Sequence, residues 1–229
     1  MGAAILAAAV WTCSGSQEAP PEADRSLVPA GPVTRDAGTV DYDQALKRLT
    51  VAEAGTLDGY DRRAFRLYQD ADGDGCDARK EALLAQAITV PQVREPGCEL
   101  VGGVWVSPYD GVRLTDARDV QIDHVVALAE AWRSGANSWK KDRLVAYGSD
   151  LDGPGHLVAV SREANRAKSA LDPAGWLPPD RTHLCRYLAD WVGTKTRWGL
   201  TVDEREMRAL EAVSGRASGE CAGEPVWVG

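Results

Sequence analysis

Asp123 and His124 stand side by side in "DVQIDHVVALAEAWRSG", residues 119–135, of a chain that has only three histidines. A carboxylate is a hard oxygen ligand for a divalent cation, and an imidazole with an ordinary pKa near 6.5 can take a proton from water at neutral pH. Downstream, "HLVAVSREANRAKS" at residues 156–169 places Asn165 and Lys168 one helical turn apart. A strand ending in an acid and a histidine, a second strand, and a helix offering a polar ligand make a ββα arrangement that can hold one divalent metal. Taken alone, the Asp-His pair reads more readily as a helix-capping Asp beside a half-buried His. Adjacent residues on an extended chain face opposite sides, so the chain must bend after Asp123 for both to serve one site.

The elements that must position these residues follow from periodicity and from turn residues. "VQIDH" and "HLVAV" read as short strands. "VVALAEAWRSG" reads as a helix stopped at Gly135, "SWKKDRLVAYG" as one starting at Ser138, and "SREANRAKSAL" as one capped by Ser161 and ended at Asp172-Pro173. Upstream, "YDQALKRLTVAEA" and "DRRAFRLYQ" predict two helices split by "GTLDGY", and "ARKEALLAQAI" a third. "ELVGGVWVSPYDG" predicts a strand and turn. "THLCRYLADWVGTKTRWG", opened by His183 and striped with Leu184, Leu188, Trp191 and Trp198, and "VDEREMRALEAV" close the chain as helices.

The chain has 229 residues and a formal charge of -8, so long-range electrostatics repel a polyanion and argue against bulk coating of nucleic acid. The average hides a gradient. Residues 124–200 carry 11 Lys and Arg against 8 Asp and Glu, a net +3, directly after the Asp-His pair. "MGAAILAAAVWTC" is too short to span a bilayer but has the length of a signal-peptide core. Residues 1–13 are therefore expected to be a signal peptide or lipoprotein signal, with Cys13 the lipidation site in the second case. Residues 14–40, rich in Pro, Ala, Gly, Ser and charge, predict a flexible linker. Four further cysteines suit an oxidising compartment, and sequence proximity favours Cys76 with Cys98 and Cys185 with Cys221 among three connectivities.

The residues "IDHVVAL" and "HLVAVSREANRAKSALDPAGWLPP" resemble the HNH (His-Me finger) endonucleases, in particular secreted bacterial proteins related to the C-terminal nuclease domain of the GmrSD type. The resemblance spans residues 57–212, its motif core 119–180. It implies an α+β fold: a ββα-metal core embedded in several α-helices, disulfide-stabilised, forming one domain over residues 41–229. It also implies that Asp123 is a metal ligand, His124 the general base and Asn165 a second metal ligand. The family's middle Asn, which helps orient the histidine or its surroundings, falls at His156, a departure for which the backbone carbonyl of a neighbouring residue could substitute. Lys168, Arg166 and His156 are candidate substrate contacts, with Arg143, Arg162 and "WKK" at 139–141 as further cations. Trp139 is a candidate for stacking on a base.

The expected function is that of an exported, monomeric, metal-dependent endonuclease with no transmembrane span, extracellular or lipid-anchored. It would hydrolyse phosphodiester bonds of DNA, with RNA as the alternative substrate, using one Mg²⁺ or Mn²⁺. "DADGDGCDARKE", residues 70–81, meanwhile satisfies the calcium-loop pattern at Asp70, Asp72, Asp74, Gly75 and Glu81, although Asp77 takes a place usually apolar. Structural Ca²⁺ would fit there, and an Asp/Gly turn stapled by Cys76 fits as well. The competing functional expectation is a cell-envelope calcium-binding or interaction module whose nuclease motif is vestigial.

Overall fold

In the computed structural model, residues 38–214 and 217–229 are described. The signal segment with Cys13 and most of the linker lie outside them. The chain opens with strand β1 (Thr39–Asp41) and helix α1 (Tyr42–Leu46), a 3₁₀ turn at Arg62–Phe65, helix α2 (Ala78–Gln86) and strands β2 (Gln92–Arg94), β3 (Glu99–Val101), β4 (Trp105–Val106) and β5 (Arg113–Leu114). The motif region follows: β6 (Gln121–His124), α3 (Leu128–Arg133), α4 (Lys141–Gly148), β7 (Leu157–Val160) and α5 (Arg162–Lys168). Helices α6 (Leu184–Trp198) and α7 (Glu204–Glu211) and strand β8 (Pro225–Trp227) complete an α+β fold with four two-stranded antiparallel sheets. Among the described residues no helix is long and apolar enough to cross a membrane.

Strands β6 and β7 pair with Ile122 opposite Ala159, Asp123 opposite Val158 and His124 opposite Leu157. Alternation along this ladder divides the core. Ile122, Leu157 and Ala159 pack with Ala82, Leu83 and Trp105 under α2, whereas Val158 and Val160 join the larger cluster built on Leu184, Leu188, Trp191 and Val192 of α6. The central ladder is thus buried on both faces, which is why "HLVAV" reads as a continuous apolar run. Two disulfides, Cys76–Cys98 and Cys185–Cys221, have the expected connectivity.

Departures from the predicted elements have local causes. The apolar pattern at 42–54 yields only the five residues of α1, because Val51 bridges Val202 and Ala52 N–H donates to the Val202 carbonyl, drawing the backbone into extended pairing. The second predicted helix shrinks to the 3₁₀ turn, ended by Arg66 in the left-handed region with φ 43°. Helix α4 begins at Lys141 rather than Ser138, since Trp139 is extended and packs against Trp198 and Tyr147, with centroids 5.4 and 5.6 Å away. Thr39 and Val40, assigned to the linker, lie in β1, paired with β8. Ser161 caps α5 as expected, its hydroxyl oxygen accepting from Ala164 N–H at 3.0 Å.

Candidate active site

Asp123 and His124 end strand β6 and are 6% and 4% exposed. As the alternation of a strand requires, they leave the ladder on opposite faces, and the bend expected directly after Asp123 does not occur, because β6 runs on through His124 opposite Leu157. Asp123 faces α5 and the turn carrying Tyr109. Its Oδ2 lies 2.7 Å from the Lys168 ammonium and accepts from the Tyr109 hydroxyl at 2.8 Å, while Lys168 also donates to the His124 carbonyl at 3.0 Å. Burial pushes the Asp123 carboxyl up, and the Lys168 ammonium and Tyr109 hydroxyl pull it back.

His124 is clasped by aromatic rings. Tyr147 stacks at 6.0 Å and Tyr68 at 6.4 Å between centroids, and His156 meets it edge-on at 5.5 Å. Its Nε2 lies 3.2 Å from the carbonyl oxygen of Gly148, the last residue of α4. A carbonyl can only accept, so Nε2 carries the proton and Nδ1 keeps its lone pair. Burial, reinforced by the neighbouring His156, Arg62 and Lys168, holds the imidazole well below its ordinary pKa, and the ring is neutral at pH 7. The backbone carbonyl that meets the His124 ring is that of Gly148, 24 residues along the chain.

The structure moves two expected substrate contacts inward. Lys168 was expected beside Asn165 on an accessible helix face but is fully buried, because its charge is drawn onto Asp123. His156 is likewise completely buried, its Nε2 donating to the Tyr147 carbonyl at 2.8 Å. Neither can meet a nucleic acid as the molecule stands. Arg166 is exposed on α5, and Asn165, half-buried, lies one turn before Lys168. Trp139 offers no free face toward Arg143, whose guanidinium sits 4.7 Å from its ring centroid.

Residues that spacing did not single out complete the site. Tyr109 holds Asp123, Tyr68 stacks on His124 while its hydroxyl donates to the Ile122 carbonyl at 3.1 Å, and Gly148 supplies the orienting carbonyl. Arg62, exposed at the start of the 3₁₀ turn, lends positive charge that is felt at Asp123, His124 and Tyr68. Only the basic run "DRRAFR" hinted at it.

A second cluster sits on the loop that follows Tyr68. Carboxylate oxygens of Asp70, Asp72 and Asp74 all lie within 4.8 Å of one another. Asp70 accepts from Gly73 and Gly75 N–H at 2.8 and 3.0 Å, and Asp74 from Cys76 N–H at 2.7 Å. Burial, then the charges of Asp72, Asp74 and Asp70, raise the Glu81 carboxyl. The off-pattern Asp77 caps α2, accepting from Lys80 N–H at 3.0 Å.

Comparison with known proteins bears on the same region. The family model for the C-terminal domain of GmrSD restriction endonucleases matches residues 99–213, which include both motif strands and α5. A protein of Arthroderma benhamiae described as an uncharacterized secreted protein is 37% identical over 186 residues, 81% of this chain and 88% of its own length. No solved structure matches the chain.

Proposed function

Because the chain belongs to the family of GmrSD restriction endonuclease C-terminal domains, we propose that it is an exported phosphodiester hydrolase acting on DNA, with His124 as general base. The observation that carries this reading is the state of His124: neutral, with its Nε2 proton committed to the Gly148 carbonyl and the Nδ1 lone pair left as acceptor. The secreted relative and the two disulfides support an extracellular location.

The oxygen donors suit a hard divalent cation such as Mg²⁺ or Mn²⁺. Lys168 and Tyr109 both bond Oδ2 of Asp123, leaving Oδ1, and the half-buried Asn165 side chain makes no hydrogen bond among the described residues. Asp123 and Asn165 would hold the ion and leave coordination positions for water and phosphate. Bound there, the ion would supply Lewis-acid stabilisation of the developing phosphate charge and of the departing 3′-oxygen, leaving a 5′-phosphate. The remaining work falls to the protein. His124 accepts a proton from the attacking water at Nδ1, Tyr109 and Lys168 hold the Asp123 carboxyl in place and oppose the effect of its burial, and Arg62 and Arg166 attract the phosphate backbone through sequence-independent contacts.

Incubation of the disulfide-intact mature chain with supercoiled plasmid and Mg²⁺ or Mn²⁺ tests this. Nicking should appear with metal, vanish with EDTA, and fall by about 10²- to 10⁴-fold in His124→Ala. Undiminished cleavage by His124→Ala would remove His124 as the base. A metal-independent, inactive chain would instead favour the second reading, a calcium-binding module of the cell envelope, which rests on the Asp70, Asp72 and Asp74 cluster.

A further inference from the structure

We propose that Asp110 is a positioning residue for Asn165, anchoring the start of helix α5 and so setting where that side chain stands relative to Asp123. This deepens the nuclease reading and rests on it for its catalytic consequence. Residues 107–111, "SPYDG", form the turn between β4 and β5, and two neighbours in it reach the two elements that carry the proposed metal ligands. The Tyr109 hydroxyl donates to Oδ2 of Asp123 in β6 at 2.8 Å, and Oδ2 of Asp110 accepts from the hydroxyl of Ser161, the N-cap of α5. Ser161 in turn holds the first turn of the helix, its hydroxyl oxygen accepting from Ala164 N–H at 3.0 Å and its carbonyl from Asn165 N–H at 3.1 Å. One helical turn therefore separates the Asp110 contact from the Asn165 backbone.

Helix α5 has only seven residues, too few to hold its own place, so its position depends on its anchors. Its last residue, Lys168, is tied to Asp123 at 2.7 Å and to the His124 carbonyl at 3.0 Å. Asp110 supplies the anchor at the opposite end. With that anchor gone the helix is free to pivot about Lys168, and Asn165, whose side chain has no hydrogen bond of its own among the described residues, moves with it.

The turn is built to hold a fixed distance. Gly111 N–H donates to the Ser107 carbonyl and Ser107 N–H to the Val112 carbonyl, both at 2.9 Å, with Gly111 in the left-handed region at φ 72°. From outside, Asp180 N–H donates to the Tyr109 carbonyl at 3.0 Å, and Trp176 and Tyr187 meet the Tyr109 ring edge-on at 5.2 and 5.5 Å. Capping alone does not account for Asp110, because the Ala164 bond uses only a lone pair of the Ser161 oxygen. Ser161 is fully buried, so its hydroxyl proton needs an acceptor inside the protein, and the Asp110 carboxylate provides it.

Two substitutions separate the hydrogen bond from the charge. Asp110→Ala removes the acceptor, whereas Asp110→Asn loses the charge and keeps an amide oxygen that can accept from Ser161. Mn²⁺ is titrated calorimetrically into the full, disulfide-intact chain, in an Asp70→Ala background that removes the acidic loop from the measurement. Binding should be about 10- to 100-fold weaker in Asp110→Ala, with most of the affinity restored in Asp110→Asn. The Mn²⁺ concentration for half-maximal plasmid nicking should rise by the same factor at unchanged KM for plasmid. A role confined to stability would lower the unfolding free energy and leave the Mn²⁺ affinity of the folded chain alone. Wild-type affinity in an Asp110→Ala chain that still nicks overturns the proposal and leaves the nuclease reading standing. Equal weakening in both variants overturns it too, since the charge rather than the bond would then be responsible. Should the wild-type chain neither bind Mn²⁺ nor nick, the nuclease reading fails and amide hydrogen exchange decides the anchor. Faster exchange at Ala164 and Asn165 in Asp110→Ala than in Asp110→Asn supports it, and equal rates overturn it.

Discussion

The ammonium of Lys168 lies 2.7 Å from Oδ2 of Asp123, and both side chains are buried. This pair joins the end of β6 to α5, the two elements that carry the motif, and Lys168 adds a bond to the His124 carbonyl. Tyr109 takes part from a third direction, donating to the same carboxylate oxygen. A buried pair of this kind does not add much net stability over an apolar substitute, but half of it cannot be removed cheaply, since the other charge stays desolvated.

Lys168→Met should therefore destabilise the fold by about 3–5 kcal/mol, measured by denaturant unfolding with disulfides intact. The double variant Lys168→Met/Asp123→Leu should recover much of the loss, because no unpaired charge remains. Additive losses in the double variant would show that the two residues act separately.

Gly148 has a different constraint. A Cβ placed there would sit 2.5 Å from the Phe65 carbonyl oxygen, a backbone atom of the 3₁₀ turn. Gly148→Ala has to push that turn away or shift the carbonyl that orients His124. Destabilisation of about 1–3 kcal/mol is expected, as for overpacking elsewhere. Plasmid nicking should drop further than the folded fraction does. An Ala variant with wild-type nicking would show that the Gly148 carbonyl does not set the geometry of the base.

Local signals made the two motif strands, the Ser161 cap and the disulfides legible, while the supports of the site were hidden by distance. Asp123, His124, Asn165 and Lys168 share a motif whose spacing is local, and Ser161 announces α5 by its capping chemistry. Nothing in "SPYDG" marks Tyr109 as the partner of Asp123 14 residues on, and nothing in "VAYG" marks Gly148 as the holder of a histidine 24 residues earlier. The inward turn of Lys168 could not be read from periodicity either: a lysine beside an asparagine looks solvated until a buried carboxylate claims it. The helix expected over 42–54 failed for the same reason, because Val202, remote in sequence, offered its backbone to Ala52.

Stability should fall in mild acid. Burial lowers the His156 pKa from the ordinary 6.5 to about 4. Above 6.5 the ring is neutral in folded and unfolded chains and contributes no pH dependence. Between 6.5 and about 4 the unfolded chain binds a proton that the folded chain refuses, so unfolding becomes easier as pH drops, by up to about 3 kcal/mol from this group. Unfolding free energies measured from pH 7 to pH 4 should show the slope, and His156→Phe should remove its share. A slope untouched by that substitution would place the acid sensitivity in other groups.

Calcium addresses the other cluster. Asp70, Asp72 and Asp74 bring carboxylate oxygens within 4.8 Å of one another, and Glu81 on α2 feels their charge. Mutual repulsion destabilises such an arrangement, and a hard cation with oxygen ligands relieves it. Their hydrogen bonds to Gly73, Gly75 and Cys76 hold the loop, and the Cys76–Cys98 disulfide holds its far end. If the loop binds calcium, a hundredfold excess over Kd should stabilise the fold by about 2.7 kcal/mol. Melting of the disulfide-intact chain with calcium, with magnesium and with chelator reads this directly. Asp70→Ala should abolish the calcium increment, since Asp70 organises the loop through Gly73 and Gly75 N–H and would supply a ligand oxygen. A melting temperature indifferent to calcium in the wild-type chain would leave the loop as a turn held by its aspartates and the disulfide.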